Sequence, residues 1–281
     1  MVERMASTTY MFDTAEEGER DRLLAHALMW DPVTRRRLDG TGVADGWRCL
    51  EVGAGSGTVT RWLADKVGDT GHVVAIDIET KWLQAMHASN VQVLQQDVTT
   101  DALGESVYDL ICARLVLVHL PDPRAIVEKL LRALRPGGWL LVEDYDLTTL
   151  PISHPPDATW RKVAATPGEM LRLGGGDPRM GSKLTGILHA AGAADVDTEA
   201  VALPRRIPQV RSWQTQFVQF RERLIEARLV SPTEIDKVIA DFDDETCDLV
   251  VHGPTLVSAR ARKPYPSGAT TVDPQRAGSS S

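Results

Sequence analysis

The sequence predicts an α/β fold with a doubly wound, mostly parallel sheet. Three observations support this prediction. Short apolar strands alternate with amphipathic helices from residue 46 to residue 146, a glycine-rich turn follows the first strand, and an acid ends the second. Strands that alternate with helices pair in parallel through right-handed crossovers. In such a sheet ligands bind beyond the carboxyl ends of the strands, where the glycine-rich turn lies.

The glycine-rich turn is the segment LEVGAGSG, residues 50–57. Gly53, Gly55 and Gly57 permit positive φ and a close approach of backbone to a ligand, and an amphipathic helix follows them. A cofactor is therefore expected against bare backbone at a helix N-terminus. The dinucleotide fingerprint needs its third glycine at position 58, which is Thr58, so the spacing disfavours a nicotinamide dinucleotide.

The spacing of Glu51, Gly53, Gly55 and Gly57 resembles the first motif of the class I S-adenosylmethionine (SAM)-dependent methyltransferases. Four later segments resemble that family's remaining motifs at the family's intervals. They are residues 72–77, 91–98, 108–123 and 131–146, so the resemblance covers residues 46–146. The resemblance implies a Rossmann-like seven-stranded methyltransferase sheet, with SAM as the cofactor.

The resemblance also implies which residues bind the cofactor. Asp77, at the end of the second strand, would bind both ribose hydroxyls, because a carboxylate accepts two hydrogen bonds at once. Asp97 would reach the adenine amino group, and Val98 would offer the neighbouring backbone. Taken singly, each acid could equally be a solvated residue without a ligand. The expected cofactor residues are Tyr10, Arg22, Glu51, Gly53, Ala54, Gly55, Ser56, Gly57, Asp77, Ile78, Asp97, Val98 and Arg114.

An N-terminal helical lid is expected over residues 1–45, with its helix at residues 14–30. Apolar residues lie on one face of this helix and charged residues on the other. By the resemblance, Tyr10 and Arg22 would approach the methionine end of the cofactor from the lid. Ordinary surface positions are the alternative for both residues.

The methyltransferase domain is expected over residues 46–262, with two additions that would cover its site. The cover segment, residues 147–180, is rich in proline and glycine, which predicts a mobile or irregular structure. Cap helices are predicted within residues 208–244, where aromatic residues recur at helical spacing and a capping box opens the second helix. The tail, residues 263–281, is predicted to be disordered.

Methyl transfer from a sulfonium depends mainly on the alignment of the nucleophile, the methyl carbon and the sulfur, and no catalytic side chain is strictly required. A base helps if the acceptor is a hydroxyl, and His119 and His154 are the candidates because histidine titrates near neutrality. Asp144 and Asp146 are acidic alternatives. His119 could instead brace its turn, and His154 could be an ordinary loop residue. Likewise, Arg114 could be solvated rather than bound to a ligand.

Three aromatic residues are candidates for the wall of a substrate pocket. Trp160 belongs to the cover segment, whereas Trp213 and Phe217 belong to the first cap helix. Together they would suit a flat or hydrophobic acceptor. Core packing is the alternative interpretation of this aromatic stripe.

The composition of the chain limits the kinds of partner that it is expected to bind. The chain of 281 residues carries 39 acids against 31 bases and has a pI near 5.4, so no general attraction to a nucleic-acid backbone is expected. Its apolar runs are far shorter than the roughly 20 residues of a membrane span, and its first residues lack the apolar core of a signal peptide. A cytoplasmic protein without membrane contact is expected. Its three cysteines suggest neither disulfides nor a metal site.

The leading hypothesis is a SAM-dependent methyltransferase that acts on a small-molecule acceptor. Its 24 arginines against 7 lysines hint at a GC-rich bacterial genome and at secondary metabolism. Methylation of RNA, DNA or protein is disfavoured because the segment CARLVLVHL, residues 112–120, lacks the Asn/Asp-Pro-Pro-aromatic motif. A SAM-binding protein that does not methylate is a third hypothesis. The oligomeric state stays open, with a homodimer as one option.

Overall fold

The computed structural model describes residues 17–84, 86–149 and 153–266. Tyr10 and most of the tail predicted to be disordered lie outside the described residues. No helix within these ranges is long and apolar enough to span a bilayer. The elements are α1 (Glu17–Asp39), β1 (Arg48–Val52), α2 (Thr58–Val67), β2 (His72–Asp77), β3 (Val91–Gln95), β4 (Tyr108–Arg114), α3 (Pro123–Ala133), β5 (Leu134–Asp146), β6 (Ser153–His154), α4 (Ala158–Ala164), α5 (Thr166–Leu173), α6 (Met180–Ala190), β7 (Ala194–Val201), β8 (Pro204–Arg206), α7 (Arg211–Glu226), α8 (Pro232–Asp241), β9 (Val250–His252) and β10 (Thr255–Arg262).

Seven strands form the main sheet in the order β3-β2-β1-β4-β5-β10-β7. The first five of these pair in parallel, whereas β10 runs antiparallel to both β5 and β7. The chain leaves β1 first towards β2 and β3 and later crosses to β4 and β5. The strand order therefore reverses between β1 and β4, which is where ligands bind in such sheets. The predicted doubly wound, seven-stranded α/β fold is confirmed.

Helix α1 is longer at its C-terminal end than the sequence predicts. The expected helix ended at residue 30, but α1 continues through Pro32 to Asp39. Proline removes one helical hydrogen bond, and the carbonyl that loses its partner belongs to Leu28, whose side chain is 84% exposed. Packing compensates for this loss because Trp30 and Leu38 are both 0% exposed.

A second apolar core lies beside the main sheet and is formed by α4, α5, α7, α8 and a small sheet. The small sheet has the order β6-β9-β8, and its strands of two or three residues are too short for an alternating pattern to predict them. The prediction of an irregular cover segment is wrong for residues 158–173, which form α4 and α5. Both predicted cap helices are present, as α7 and α8.

Candidate active site

A cavity of about 270 Å³ opens at the carboxyl ends of the parallel strands, beneath the N-terminal half of α1. Elements that are distant in sequence converge there, as the doubly wound topology requires. The cavity brings together most of the residues that the sequence singles out, namely Arg22, Glu51, Gly53, Ala54, Gly55, Ser56, Asp77, Ile78, Asp97, Val98, Arg114, His119, Trp213 and Phe217.

The glycine-rich turn between β1 and α2 needs its glycines for different reasons. Gly53, Gly55 and Gly57 have φ values of 70°, 52° and 73°, which other residues adopt only with strain. Gly53 and Gly55 line the cavity, whereas Gly57 does not. A Cβ on Gly57 would lie 2.2 Å from Met86 Cε. The expectation that Gly57 contacts the cofactor is therefore corrected, because this glycine permits close packing beneath the turn.

Asp77 ends β2 beside the glycine-rich turn. Its Oδ2 accepts a hydrogen bond from the Gly55 amide at 2.8 Å, and its Oδ1 accepts one from the Glu79 amide at 3.1 Å. Burial raises the pKa of this carboxyl despite those bonds. Each oxygen keeps a further lone pair, so the carboxylate is held in place and can still accept hydrogen bonds from a diol.

Glu51 sits at the end of β1 and is 7% exposed. Its Oε2 accepts a hydrogen bond from the Thr60 hydroxyl of α2. Burial raises the pKa of Glu51 to about 8, so the carboxyl is largely protonated at neutral pH. A cation that binds in the cavity would favour its ionised form.

Asp97 and Val98 follow β3 at the far end of the cavity. Asp97 Oδ1 accepts hydrogen bonds from the Thr99 amide at 2.8 Å and the Thr99 hydroxyl at 2.6 Å. Among the described residues, its Oδ2 has no hydrogen-bond partner and is available to a ligand. Trp82 and Gln96 line the same end. Trp82 lies outside the family-like segments, whereas Gln96 lies within residues 91–98, where only Asp97 and Val98 were assigned a role.

Arg114 lines the cavity, but its hydrogen bonds go to α1. Its Nη1 donates to the Thr34 hydroxyl at 2.9 Å and its Nη2 donates to Asp31 Oδ1 at 3.0 Å. The Thr34 hydroxyl lies 2.6 Å from Glu143 Oε2, and Ser258 donates to Glu143 Oε1 at 2.6 Å. This polar network anchors the C-terminal half of α1 to β4, β5 and β10, so Arg114 positions α1.

Arg22 reaches the cavity from α1 as part of an ion pair. It donates to both carboxylate oxygens of Glu19 at 2.7 Å, and the two side chains are only 6% and 2% exposed. The pair is therefore held in low dielectric, where each charge strongly favours the other. Arg22 lines the cavity, and Glu19 balances much of its charge.

Of the two candidate histidines, one lines the cavity and the other does not. His119 lines the cavity, and burial, aided by the charge of Arg22, lowers its pKa to about 4. His154 is exposed, pairs with Val250 in the small sheet, and does not line the cavity. The expectation that His154 acts as a base is therefore corrected, because the small sheet carries it away from the site.

Asp144 and Asp146, the acidic alternatives to the two histidines, do not line the cavity. Asp146 is occupied by structural hydrogen bonds from the Thr148 amide at 2.8 Å and the Ser182 hydroxyl. Asp144 is 1% exposed, and burial raises its pKa well above the usual range. The amides of Val118 and Leu117 lie near it, although neither side-chain oxygen makes a well-aligned hydrogen bond. Asp144 thus faces the turn that carries His119, where it can brace that turn.

An apolar end of the cavity is formed where α5 and α7 approach the main sheet. Trp213 and Phe217 line it together with Leu147 and Leu171. Trp160 does not line the cavity, because it is 0% exposed and stacks behind Trp213 with ring centroids 5.8 Å apart. The expectation that Trp160 contacts substrate is corrected, since this residue supports the wall from inside the second core.

Three further polar residues line the cavity: His26 and Gln216, which sequence analysis missed, and Tyr145, which was expected near the site as part of residues 143–146 but was assigned no role. His26 lies one helical turn after Arg22 and therefore shares its face, a spacing that could have identified it. Gln216 lies outside the family-like segments, and no sequence pattern identifies it. No group of three or more potential metal ligands occurs among the described residues.

Comparison with known proteins agrees with this geometry. A family model described as a methyltransferase domain matches residues 50–142. The chain is 31% identical over 156 residues to a ubiquinone biosynthesis O-methyltransferase of Paracidovorax citrulli, an alignment that covers 48% of this chain and 63% of that protein. It is 26% identical over 198 residues to a ubiquinone/menaquinone biosynthesis C-methyltransferase of an Enterobacter strain, covering 61% of this chain and 79% of that protein. The chain thus spans less than two thirds of the first relative.

Solved structures share the fold. A phosphoethanolamine N-methyltransferase of Haemonchus contortus, in complex with S-adenosylhomocysteine, has a TM-score of 0.59 at 17% identity, covering 92% of this chain and 60% of that one. The [4+2]-cyclase SpnF has a TM-score of 0.51 at 19% identity, covering 84% and 81% of the two chains. At such identities the likeness speaks for the fold alone.

The sheet, the glycine-rich turn and the acids at the strand ends define a Rossmann-like nucleoside-binding protein. The match of residues 50–142 to a methyltransferase domain supports the resemblance to the class I SAM-dependent methyltransferases, whose cofactor is SAM. The site fits this cofactor, because bare backbone at Gly53 and Gly55 lies beside a carboxylate that can accept hydrogen bonds from a diol.

Proposed function

We propose that this protein transfers the methyl group of SAM to a small, largely apolar acceptor. The supporting observation is that one cavity is lined both by the glycine-rich turn with Asp77 and by the apolar pair Trp213 and Phe217. A cofactor and an acceptor that share a cavity can be held in contact, and alignment of the reacting atoms supplies much of the catalysis.

Different residues of the cavity would bind different parts of SAM. Asp77 would hold the ribose, and Asp97 with the Val98 backbone would hold the adenine. Glu51 and Arg22 would lie towards the methionine end. When bound, SAM supplies a methyl group activated by its sulfonium charge. The chain itself supplies orientation, and the covering helices α1, α5 and α7 exclude water.

The acceptor end favours a flat, hydrophobic molecule with few polar groups. Aromatic side chains and Leu147 and Leu171 form this end, and aromatic walls suit planar ligands. Two curated relatives are named for ubiquinone biosynthesis, and a quinone-type ring is an apolar acceptor of this kind. We extend the proposal to such rings, to a cytoplasmic setting and to secondary metabolism, with no nucleic-acid partner. A homodimer is compatible with it.

Isotope transfer tests the proposal. The protein would be incubated with SAM carrying a deuterated methyl group and a panel of hydroxylated arenes and quinols, and the products would be analysed by mass spectrometry. We expect a labelled small molecule and an equal amount of S-adenosylhomocysteine, with neither formed by the Asp77→Ala variant. Label found only in bulk tRNA or protein would contradict a small-molecule acceptor. Cofactor binding without any S-adenosylhomocysteine would contradict methyl transfer.

A further inference from the structure

His26 forms the end of a hydrogen-bonded chain at the cavity, in which Trp30 is buried and Tyr145 and His26 are half-buried. Trp30 Nε1 donates to the Tyr145 hydroxyl at 2.6 Å, and that hydroxyl lies 3.1 Å from His26 Nδ1. Trp30 can only donate, so the oxygen of Tyr145 is its acceptor. Among the described residues, His26 Nδ1 is then the one partner for the proton of the Tyr145 hydroxyl. We therefore assign Nδ1 as the acceptor of this bond, the tautomer in which a neutral His26 carries its own proton on Nε2.

The Nε2 atom of His26 has no hydrogen-bond partner among the described residues, although it is buried. His26 lines the cavity, so a ligand in the cavity can supply the missing acceptor. A buried donor without a partner costs about 1–3 kcal/mol. The tautomer assigned through Tyr145 therefore leaves a preoriented N–H donor without a partner on a residue that lines the cavity.

The charges that face His26 keep it neutral. Burial, aided by the positive charges of Arg22 and Arg114, lowers the pKa of His26 to about 3. Glu19 and Asp31 balance these guanidinium groups as ion-pair partners. His26 can thus donate a hydrogen bond at neutral pH, but it is a poor base.

The same logic applies to the other histidine of the cavity. Burial and the charge of Arg22 lower the pKa of His119 to about 4, which also makes it a poor base at neutral pH. A hydroxyl acceptor that needs to lose its proton would gain little from either histidine. An acceptor that arrives already ionised needs no base and is matched by the N–H donor of His26.

We propose that His26 Nε2 is the hydrogen-bond donor to the acceptor, and that the acceptor is an aromatic or enolic hydroxyl bound as its oxyanion. The inference rests on the proposed function and specifies its substrate class. Trp213 and Phe217 would contact the ring, while His26 holds the oxygen. His26 is then a substrate-binding residue of α1, and Trp30 and Tyr145 are positioning residues that act through it.

The probe for this proposal is 4-nitrophenol, which titrates near neutral pH and whose phenolate is visible by its absorbance. It would be bound to the protein in the presence of saturating S-adenosylhomocysteine, with 4-nitroanisole as the matched compound that cannot ionise. We expect 4-nitrophenol to bind as the phenolate, with its apparent pKa lowered on binding. We also expect it to bind at least about tenfold more tightly than 4-nitroanisole, the effect of one hydrogen bond to a charged group.

Variants assign the effect to His26. His26→Leu removes the donor and should weaken binding of the phenolate about tenfold, while His26→Gln keeps an N–H donor and should restore part of it. His154→Gln is the matched control, because His154 is exposed and lies outside the cavity. Tyr145→Phe should also weaken binding, because it frees the tautomer of His26. The wild-type absorbance titration needs no variant and stands even if His26→Leu fails to fold.

Several outcomes would overturn the proposal. They are a raised pKa of the bound phenol, equal binding of 4-nitroanisole, no binding of 4-nitrophenol, or phenolate binding unaffected by His26→Leu. Affinity for S-adenosylhomocysteine separates this failure from that of the proposed function. If the wild-type protein binds S-adenosylhomocysteine, these outcomes contradict only the role of His26. If the folded wild-type protein does not bind S-adenosylhomocysteine, the proposed function itself is contradicted.

Discussion

The two ends of the cavity are built in different ways. The cofactor end uses backbone and strand-end acids, and its main part is the contiguous segment of residues 50–57. The acceptor end uses side chains from α1, α5 and α7, which the fold brings together from distant parts of the sequence. Recognition through backbone leaves a local glycine pattern, whereas recognition through packed side chains depends on the tertiary structure. Cofactor affinity should therefore depend on single polar groups at the first end, whereas the stability of the protein should depend on packing at the second.

The largest effect is expected at the cofactor end. Asp77→Ala removes a carboxylate that is positioned to accept two charge-assisted hydrogen bonds, each worth about 1.5–3 kcal/mol. We expect affinity for S-adenosylhomocysteine to fall at least about 100-fold, as measured by isothermal titration calorimetry. Asp69→Ala, which changes an exposed acid near the same sheet, is the control and should leave the affinity unchanged. A loss of less than about threefold in Asp77→Ala would contradict the role of Asp77.

The acceptor end should show the opposite response. Phe217→Ala removes a ring that is 3% exposed and packs edge-on against Trp160 at 6.2 Å between centroids. We expect the free energy of unfolding in urea to fall by about 3 kcal/mol, with cofactor affinity changed less than about twofold. Val218→Ala, at a position 55% exposed on the same helix, should change stability by less than about 0.5 kcal/mol. A large loss of cofactor affinity in Phe217→Ala would show that the two ends are not separable.

The anchor of α1 lies between the two ends. Thr34→Val keeps the shape of the side chain but leaves Arg114 and Glu143 each without one hydrogen bond. We expect the free energy of unfolding to fall by about 2 kcal/mol, and amide hydrogen exchange in α1 to accelerate. Thr70→Val, which removes an exposed hydrogen bond to Asp45, is the control and should have a far smaller effect. Unchanged exchange in α1 would contradict the anchoring role.

The smallest expected effect concerns the protonation of Glu51. Its pKa rises from 4.5 to about 8 on folding, so the folded state binds more protons than the unfolded state between those values. Wild-type stability should therefore fall as pH rises from 5 to 8. Glu51→Gln cannot ionise, so between pH 7 and pH 8 its free energy of unfolding in urea should fall by about 1 kcal/mol less than that of the wild type. Identical pH dependence in the two proteins would rule out a shifted Glu51.

The sequence was sufficient to predict the regular part of the fold. The main sheet follows from strand and helix periodicity, and the placement of Asp77 and Asp97 at one edge follows from parallel pairing. Gly57 shows the limit of the motif, because a positive φ can serve packing as well as ligand contact. The sequence pattern does not distinguish these two uses, whereas the position of Met86 does.

The acceptor end could be predicted only in part. Trp160 and Trp213 are the same residue type within one aromatic core, and only their packing shows that one lines the cavity while the other lies behind it. The displacement of His154 depends on a small sheet of very short strands, which leaves no periodic signal. The role of His26 depends on a hydrogen bond to Tyr145, which is 119 positions away along the chain. Contacts of this kind are set by tertiary packing.

A crystal structure of the protein with S-adenosylhomocysteine tests the account most directly. The account predicts adenine beside Asp97 and Val98, both ribose hydroxyls on Asp77, and the sulfur facing the apolar end lined by His26, Trp213 and Phe217. A ligand bound elsewhere, or with its sulfur directed away from that end, would contradict the proposal that one cavity holds both cofactor and acceptor.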